Sequence, residues 1–187
     1  LEVVVPGRQS RQHHEKGRRH PGQGRRRRRR RDVFAALDLG SNNCRLLIAR
    51  PVHDGFHVID GFSRIVRLGE HVGETNMLSE AAMTRTIEAL EVCASKIKRH
   101  AVTRARYVAT EAARRAGNQA EFIDRVRDAT GLELEIITSR EEAELTLAGC
   151  LPLLDDKIPH ALVFDVGGGS AELIWLRLDS AAPAEIL

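Results

Sequence analysis

The stretch VFDVGGGSAELIW, residues 163–175, contains the pattern that decides the fold. An apolar run ends in Asp165, three glycines follow, and apolar residues then return. This order predicts two strands, over 161–166 and 171–178, joined by a tight loop without bulky side chains. A carboxylate at the end of a buried strand is costly unless a cation or a hydrogen-bond donor satisfies it. Asp165 is therefore a candidate metal ligand.

A second copy of the pattern occurs in FAALDLGSNNCRLLI, residues 34–48. The matched positions are Asp38 with Asp165, Gly40 with Gly167, and Ser41-Asn42 with Gly168-Gly169. Small loop residues let backbone N–H groups approach a ligand, and consecutive N–H groups suit a phosphate. One glycine loop is equally well explained as a structural turn, but two matched copies favour a clamp on a phosphate chain. Mg²⁺, held through carboxylates and phosphate oxygens, fits such a clamp.

Charge is distributed unevenly along the 187 residues. Residues 1–32 hold 12 Lys and Arg against 3 acids, whereas residues 33–187 hold 17 basic and 23 acidic residues. We interpret residues 1–32 as a disordered Arg-rich tail on a mildly acidic globular part. The tail is either an arm for polyanions such as RNA, polyphosphate or anionic lipid, or a solvated segment. The globular part gives no reason to expect specific nucleic-acid binding.

After residue 33, hydrophobic periodicity predicts the element order βββαβαβα, followed by the strand pair already described. The predicted strands are 35–39, 44–49, 56–68 with a bulge at Gly61, 105–110 and 132–138. Ser79 is predicted to cap the first long helix, Gly131 to end a helix over 120–130, and a third helix to cover 139–150. Antiparallel opening strands and later helical crossovers predict an α/β fold with a mixed sheet. Residues 33–158 form one predicted domain, and 159–187 begin a second.

Other sequence features bear on the compartment and on the extent of the chain. The three cysteines form no CxxC or zinc-ligand spacing, and none of the eight histidines lies in an HExxH motif. No apolar run approaches the roughly 20 residues of a membrane span, and no apolar leader is evident. We therefore expect a cytoplasmic protein without a membrane partner. The chain begins with Leu1 and ends in PAEIL, which we interpret as a fragment or a truncated reading frame.

Five segments together carry a family resemblance. They are ALDLGSNNCRLLIAR (36–50), NMLSEAAMTR (76–85), ATEAARRAGN (109–118), LEIITSREEAEL (134–145) and VFDVGGGSAELIW (163–175). In this order they resemble the exopolyphosphatase/guanosine pentaphosphate phosphohydrolase family, within the superfamily of actin, sugar kinases and heat-shock chaperone ATPases. The resemblance implies a ribonuclease H-like (actin-like ATPase) domain with a mixed five-stranded sheet. The opening hairpin of a second, truncated domain of this kind follows.

The resemblance also implies a magnesium-dependent hydrolase that releases terminal phosphate from inorganic polyphosphate or guanosine pentaphosphate. It implies that Glu142 activates the attacking water, that Arg114 holds substrate phosphate, and that Asp165 and Glu172 are associated with Mg²⁺ and phosphate. The matched hairpins add Asp38 as a metal ligand. They also add the phosphate-binding loop residues Gly40, Ser41, Asn42, Gly167, Gly168, Gly169 and Ser170. We expect the fragment to be inactive alone, and a homodimer is a further expectation for the full-length form.

Two of these candidates also have plain structural explanations. The segment from Ser139 to Glu142 matches the capping box S-x-x-E, so Glu142 could cap its own helix. Arg114 lies on a short predicted helical segment and could be a solvated surface residue.

Three other residues have alternative interpretations. Glu172 could pair with Arg45 of the facing hairpin. Cys44 is interpreted as a small buried hydrophobic residue rather than a nucleophile, because no histidine stands beside it. Trp175 is interpreted as a core residue rather than a base-stacking platform.

Two other functions are compatible with parts of the sequence. A phosphotransferase of the same superfamily, such as a sugar or acyl kinase, would need an adenosine pocket and an acceptor site. A non-catalytic protein could bind polyanions through residues 1–32 alone; deleting the tail would then abolish binding together with its salt dependence.

Overall fold

The computed structural model describes residues 32–53, 55–155 and 158–177, and the backbone of 185–186. Nearly all of the predicted tail, residues 1–31, and the last residue of the predicted strand 171–178 lie outside the described residues. The strands in the described part are β1 Phe34–Leu39, β2 Asn43–Val52, β3 Gly55–Ile65, β4 Arg104–Ala109, β5 Glu135–Ile136, β6 His160–Val166, β7 Ala171–Arg177 and β8 Glu185–Ile186. The helices there are α1 Val72–Thr75, α2 Glu80–Arg99, α3 Glu111–Arg115, α4 Gln119–Thr130 and α5 Ser139–Cys150.

The first five strands form one mixed sheet in the order β3-β2-β1-β4-β5. β1, β2 and β3 are antiparallel neighbours, whereas β4 pairs in parallel with both β1 and β5. The helices α2 to α4 lie in the connections to the parallel strands, as crossover geometry requires. The predicted mixed five-stranded α/β fold is confirmed.

One continuous core lies between this sheet and the helices packed on it. Alternate residues of β1 point inward, so Leu37 and Leu39 are almost fully buried, and they meet Leu90 of α2 and Phe122 of α4 in the same apolar cluster. The Ser79 hydroxyl accepts a hydrogen bond from the Ala82 amide and caps α2, as predicted.

Gly131 ends α4 in the left-handed conformation, with φ 71°. This confirms the predicted helix end, because glycine adopts that conformation without a steric penalty.

Two strand predictions were wrong in detail. The bulge lies at Ile59, because Ile48 pairs with Asp60 and Ala49 with Val58; Gly61 pairs regularly with Leu47. The partly buried side chain of Ile59 packs against the core at that point, and a bulge allows a strand to redirect one side chain in this way. The predicted strand 132–138 pairs only at 135–136, where Glu135 and Ile136 lie beside Val108 and Ala109 of β4.

β6, β7 and β8 form a second, antiparallel sheet, and α5 packs against β6 and β7. Ile174 and Leu176 face α5 and are buried with Leu147. The opposite face of the hairpin is exposed and includes Trp175, which is 42% exposed and stacks on His160. The core interpretation of Trp175 was therefore wrong, because the strand alternation places it on the outer face. No helix within the described residues has the length and apolar composition to cross a membrane.

Candidate active site

The two predicted phosphate loops close with the same hydrogen bond. Between β1 and β2, the Gly40 amide donates to the Asn43 carbonyl at 2.9 Å. Between β6 and β7, the Gly167 amide donates to the Ser170 carbonyl, also at 2.9 Å. The sequence repeat is therefore a structural repeat. The first amide of each loop is used internally, so phosphate binding would depend on the amides that follow.

The two loops lie in contact with one another. A Cβ added to Gly168 would stand 2.7 Å from the Cβ of Asn42, and one added to Gly169 would stand 2.6 Å from the Ser41 Oγ. Neither glycine has a positive φ. Close approach of the loops, rather than an unusual backbone angle, is what requires glycine here. The two sides of the predicted clamp are thus brought together, in a closed arrangement.

Each hairpin places one carboxylate beside its loop, with a different partner on the neighbouring strand. Asp38 lies opposite Arg45, whereas Asp165 lies opposite Glu172. Burial raises the pKa of Asp38; the Arg45 charge lowers it and the Asp165 charge raises it further. Directly opposed like charges destabilise an antiparallel pair. The carboxylates of Asp165 and Glu172 therefore place negative charge on the second hairpin near Asp38 of the first hairpin.

Two adjacent glutamates at the start of α5, Glu141 and Glu142, contact different parts of the fold. Thr138, rather than Ser139, is the N-cap, and its hydroxyl accepts from the Glu141 amide at 3.1 Å. The Glu141 side chain pairs with Arg106 on β4. The capping explanation of Glu142 was therefore wrong by one residue: Thr138 and Ser139 are both suitable N-cap residues, and the helix begins one position earlier than the S-x-x-E pattern predicts.

Glu142 points instead into a half-buried position between the two sheets, with its side chain 18% exposed. Its Oε2 accepts from the Arg114 Nη1 at 3.2 Å and from the Nη2 at 3.3 Å. Burial raises the pKa of Glu142, the hydrogen bonds and charge of Arg114 oppose that rise, and the Glu172 charge adds to it. A Thr110 hydrogen bond favours the ionised form. The carboxylate is thus partly desolvated but still oriented by donors.

Arg114 is engaged by protein groups on both terminal nitrogens. Besides Glu142, the Nη1 donates to the Ile137 carbonyl at 2.7 Å and the Nη2 donates to Glu111 at 2.6 Å. Its side chain is 21% exposed. The surface explanation of Arg114 was therefore wrong, because three elements of the fold converge on its guanidinium.

One residue of the site was missed from the sequence. The Thr146 hydroxyl donates to the Asp165 Oδ2 at 2.7 Å. Thr146 follows Glu142 by one helical turn on α5, so both side chains lie on one face of the helix. That spacing could have identified Thr146, but a lone threonine in a helix gives no chemical signal. α5 therefore contacts Arg114 of α3 through Glu142, and it orients Asp165 of the second hairpin through Thr146.

Of the remaining residues discussed from the sequence, Glu172 lies near Glu142 and Cys44 lies in the core. Within the described residues, Glu172 forms no ion pair with Arg45. Its negative charge instead raises the pKa of Glu142. Cys44 is fully buried beside Cys93, with 4.0 Å between the two sulfur atoms, which confirms its interpretation as a buried residue. No group of three or more metal-type side chains assembles in the described part of the chain.

A mixed five-stranded sheet with helices packed on it, followed by a second strand–loop–strand hairpin, is the α/β fold of the actin-like ATPase class. The family model described as the Ppx/GppA phosphatase family matches residues 47–182. The chain belongs to this family.

Relatives and solved structures agree with this assignment. Exopolyphosphatase 2 of Mycobacterium tuberculosis is 38% identical over 149 residues, which cover 75% of this chain and 47% of the relative. The crystal structure of the Aquifex aeolicus member of the Ppx/GppA family is 33% identical, with TM-score 0.70, over 83% of this chain and 51% of that one. An exopolyphosphatase structure from Cytophaga hutchinsonii is 27% identical, with TM-score 0.76, over 83% and 50%. The chain spans about half the length of these relatives.

Proposed function

We propose that this chain supplies the catalytic acids and phosphate loops of a phosphoanhydride hydrolase. The substrate would be inorganic polyphosphate or guanosine pentaphosphate, and the product the released terminal phosphate. Membership of the Ppx/GppA phosphatase family and similarity to a curated exopolyphosphatase support this class of reaction. Since the chain spans about half of its relatives, the activity is proposed for a protein that extends this sequence to their length.

The position of Glu142 is the observation that carries the proposal. It is half-buried, it is held by Arg114, and it faces Glu172 of the second hairpin. A carboxylate whose pKa is raised by burial accepts a proton more readily than a solvated one. Glu142 therefore has the surroundings that a general base needs.

In the proposed reaction, Glu142 orients a water molecule for in-line attack on the terminal phosphorus and accepts its proton. The bond from that phosphorus to the bridging oxygen breaks as the new bond forms, and the shortened phosphate chain leaves with the electron pair on that oxygen. Phosphoryl transfer asks little covalent chemistry of the protein, so positioning and charge compensation supply most of the catalysis. Arg114, beside Glu142, would contribute positive charge where the phosphate oxygens gather. The amides that follow the closing hydrogen bonds, at residues 41–42 and 168–169, would hold the phosphates once the loops separate.

The acids of the two hairpins are of the type that Mg²⁺ prefers, although the described residues do not bring three such side chains together, so the ion would depend on phosphate oxygens and water to complete its shell. Asp38 and Asp165 lie close enough for the charge of one to raise the pKa of the other, and Glu172 lies opposite Asp165. Proteins commonly hold Mg²⁺ through one or two carboxylates, with water and phosphate oxygens completing the shell. Asp38, Asp165 and Glu172 are therefore the residues proposed to hold the ion. When bound, Mg²⁺ would neutralise charge on the phosphate oxygens.

The experiment measures phosphate release from inorganic polyphosphate and from guanosine pentaphosphate, with and without Mg²⁺. It uses the 187-residue chain and a protein that extends this sequence to the length of its relatives. Glu142→Gln should keep substrate binding and lower the turnover number on the order of 100- to 10,000-fold, the usual contribution of a general base.

Glu141→Gln is the matched control, because it lies next to Glu142 on α5 but pairs with Arg106. It should leave the turnover number within about threefold of the unmodified protein, as expected for a surface pair. A Glu142→Gln protein that retains the unmodified rate would remove Glu142 as the base. Absence of phosphate release from both substrates by the extended protein would contradict the proposed function itself.

A further inference from the structure

Glu111 stands at the centre of the site but belongs to none of the predicted roles. It is the first residue of α3, and its side chain is 20% exposed. Its Oε2 accepts from the Arg114 Nη2 at 2.6 Å, a shorter contact than either of those that Glu142 makes with Arg114. A Cβ on Gly169 would lie 3.4 Å from the Glu111 Cγ, so Glu111 also borders the second loop.

The bonds of Arg114 leave no terminal nitrogen for a ligand. The Nη1 is shared by the Ile137 carbonyl and Glu142, and the Nη2 by Glu111 and Glu142. A phosphate that binds arginine in a bidentate manner needs two N–H groups directed at its oxygens. One of the present partners must therefore leave before Arg114 can bind phosphate.

We infer that Glu111 is an internal competitor for the phosphate site at Arg114, and that an incoming phosphate displaces its carboxylate. The inference rests on the proposed function, which places substrate phosphate at Arg114. Of the two acids on the guanidinium, Glu142 forms an ion pair with Arg114 alone within the described residues, whereas Glu111 lies near both Arg114 and Arg115. Glu111 can therefore leave Arg114 for another cation, and its Cγ borders the second loop, one of the two loops proposed to hold phosphate.

A second cation is placed to receive the displaced carboxylate. The Glu111 Oε1 lies 3.8 Å from the Arg115 Nη1, at the i,i+4 spacing on α3. Arg115 is half exposed, so its guanidinium can follow the carboxylate without unfolding the helix. Glu111 thus has two positions, on Arg114 as the structure shows it and on Arg115 when phosphate is bound.

The first experiment measures the dissociation constant of inorganic phosphate for the 187-residue chain, by titration followed with ¹⁵N NMR. Glu111→Ala should bind phosphate about tenfold more tightly than the unmodified chain, which corresponds to ~1.4 kcal/mol. Glu111→Gln, which keeps the shape but loses the charge, should change the constant in the same direction by about threefold. Thermal unfolding of each variant verifies that it is folded.

Glu135→Gln is the matched control. Glu135 also pairs with an arginine, at 2.7 Å from the Arg106 Nη2, but on the sheet edge outside the cleft. Its phosphate dissociation constant should equal that of the unmodified chain. The inference is overturned if Glu111→Ala and Glu111→Gln bind phosphate equally well or more weakly, or if no variant binds phosphate measurably.

A double-mutant cycle distinguishes the two-position arrangement from simple charge addition. Arg115→Ala should weaken phosphate binding while Glu111 is present, because the displaced carboxylate then has no second partner. In the Glu111→Ala background the same change should have much less effect. Equal weakening in both backgrounds would show that Arg115 acts only as a nearby cation.

These results are separable from the outcome of the hydrolysis assay. Tighter phosphate binding by Glu111→Ala without phosphate release from either substrate would support the competitor and contradict the proposed activity. Phosphate release by the extended protein, with unchanged phosphate binding in Glu111→Ala, would do the reverse.

Discussion

Replacing Gly168 by alanine should force the two hairpin loops apart. The added Cβ would lie 2.7 Å from the Asn42 Cβ and 3.2 Å from the Asn42 backbone nitrogen. Carbon atoms in contact normally stand roughly 3.5–4.0 Å apart, so the loops must separate by about 1 Å. Because the obstructing atom is a Cβ next to the backbone, a side-chain rotation cannot remove the clash.

The cost follows from that overlap. Insertion of one carbon into a closely packed contact typically costs about 1–3 kcal/mol. The loss of conformational freedom in the unfolded chain offsets ~0.4–1 kcal/mol of it. We therefore expect Gly168→Ala to lower the free energy of unfolding of the second sheet, which contains β6 and β7, by about 1–2 kcal/mol.

Gly149→Ala is the matched control, because a Cβ at Gly149 on α5 meets no atom within 4 Å. It should raise stability by up to ~1 kcal/mol, since alanine is the better helix former. The single tryptophan, Trp175, lies on β7 of the affected hairpin, so its fluorescence during urea unfolding measures both changes. If Gly168→Ala is as stabilising as Gly149→Ala, the loops do not touch in solution and the reasoning is refuted.

Two further predictions concern individual carboxylates. A ¹³C NMR titration should find the pKa of Glu142 above the ordinary value for glutamate, because burial raises it; Glu172→Gln should lower that pKa and Thr110→Val should raise it. If neither substitution changes the pKa of Glu142, the described surroundings of Glu142 are contradicted. Asp60 accepts hydrogen bonds from Lys96, which contribute most, and from His100, and these hold its pKa well below the usual range. Because the folded-state pKa is depressed, the stabilisation is present at neutral pH and is lost as the pH falls through the acidic range. Asp60→Asn should therefore lower the urea midpoint at pH 7, and the difference should shrink on acidification; an unchanged midpoint at pH 7 would be inconsistent with this network.

Local signals predicted the elements that local interactions stabilise. Ser79 caps a helix and Gly131 ends one because the capping bonds join residues a few positions apart. Prediction was weaker where neighbouring residues compete for one role. Thr138 and Ser139 both suit an N-cap, and the choice between them changes which glutamate faces the cleft.

Tertiary contacts account for the errors in the strands. The bulge falls at Ile59 instead of Gly61, and the partly buried side chain of Ile59 packs against the core there. Trp175 is exposed because the strand alternation assigns Ile174 and Leu176 to the side of α5. Hydropathy alone does not identify which face of a strand will be covered.

The sequence by itself determined the two matched hairpins, the order of helices and strands, and the acids at the hairpin loops. These features depend on residue types and on spacings within a few residues of the chain. Only the tertiary structure decided that Glu142, and not Glu141, reaches Arg114 across 28 residues, and that Thr146 orients Asp165. It also decided that the glycines of VFDVGGGSAELIW lie against the first loop. Such contacts depend on how α5 packs between the two sheets, and no local pattern encodes that packing.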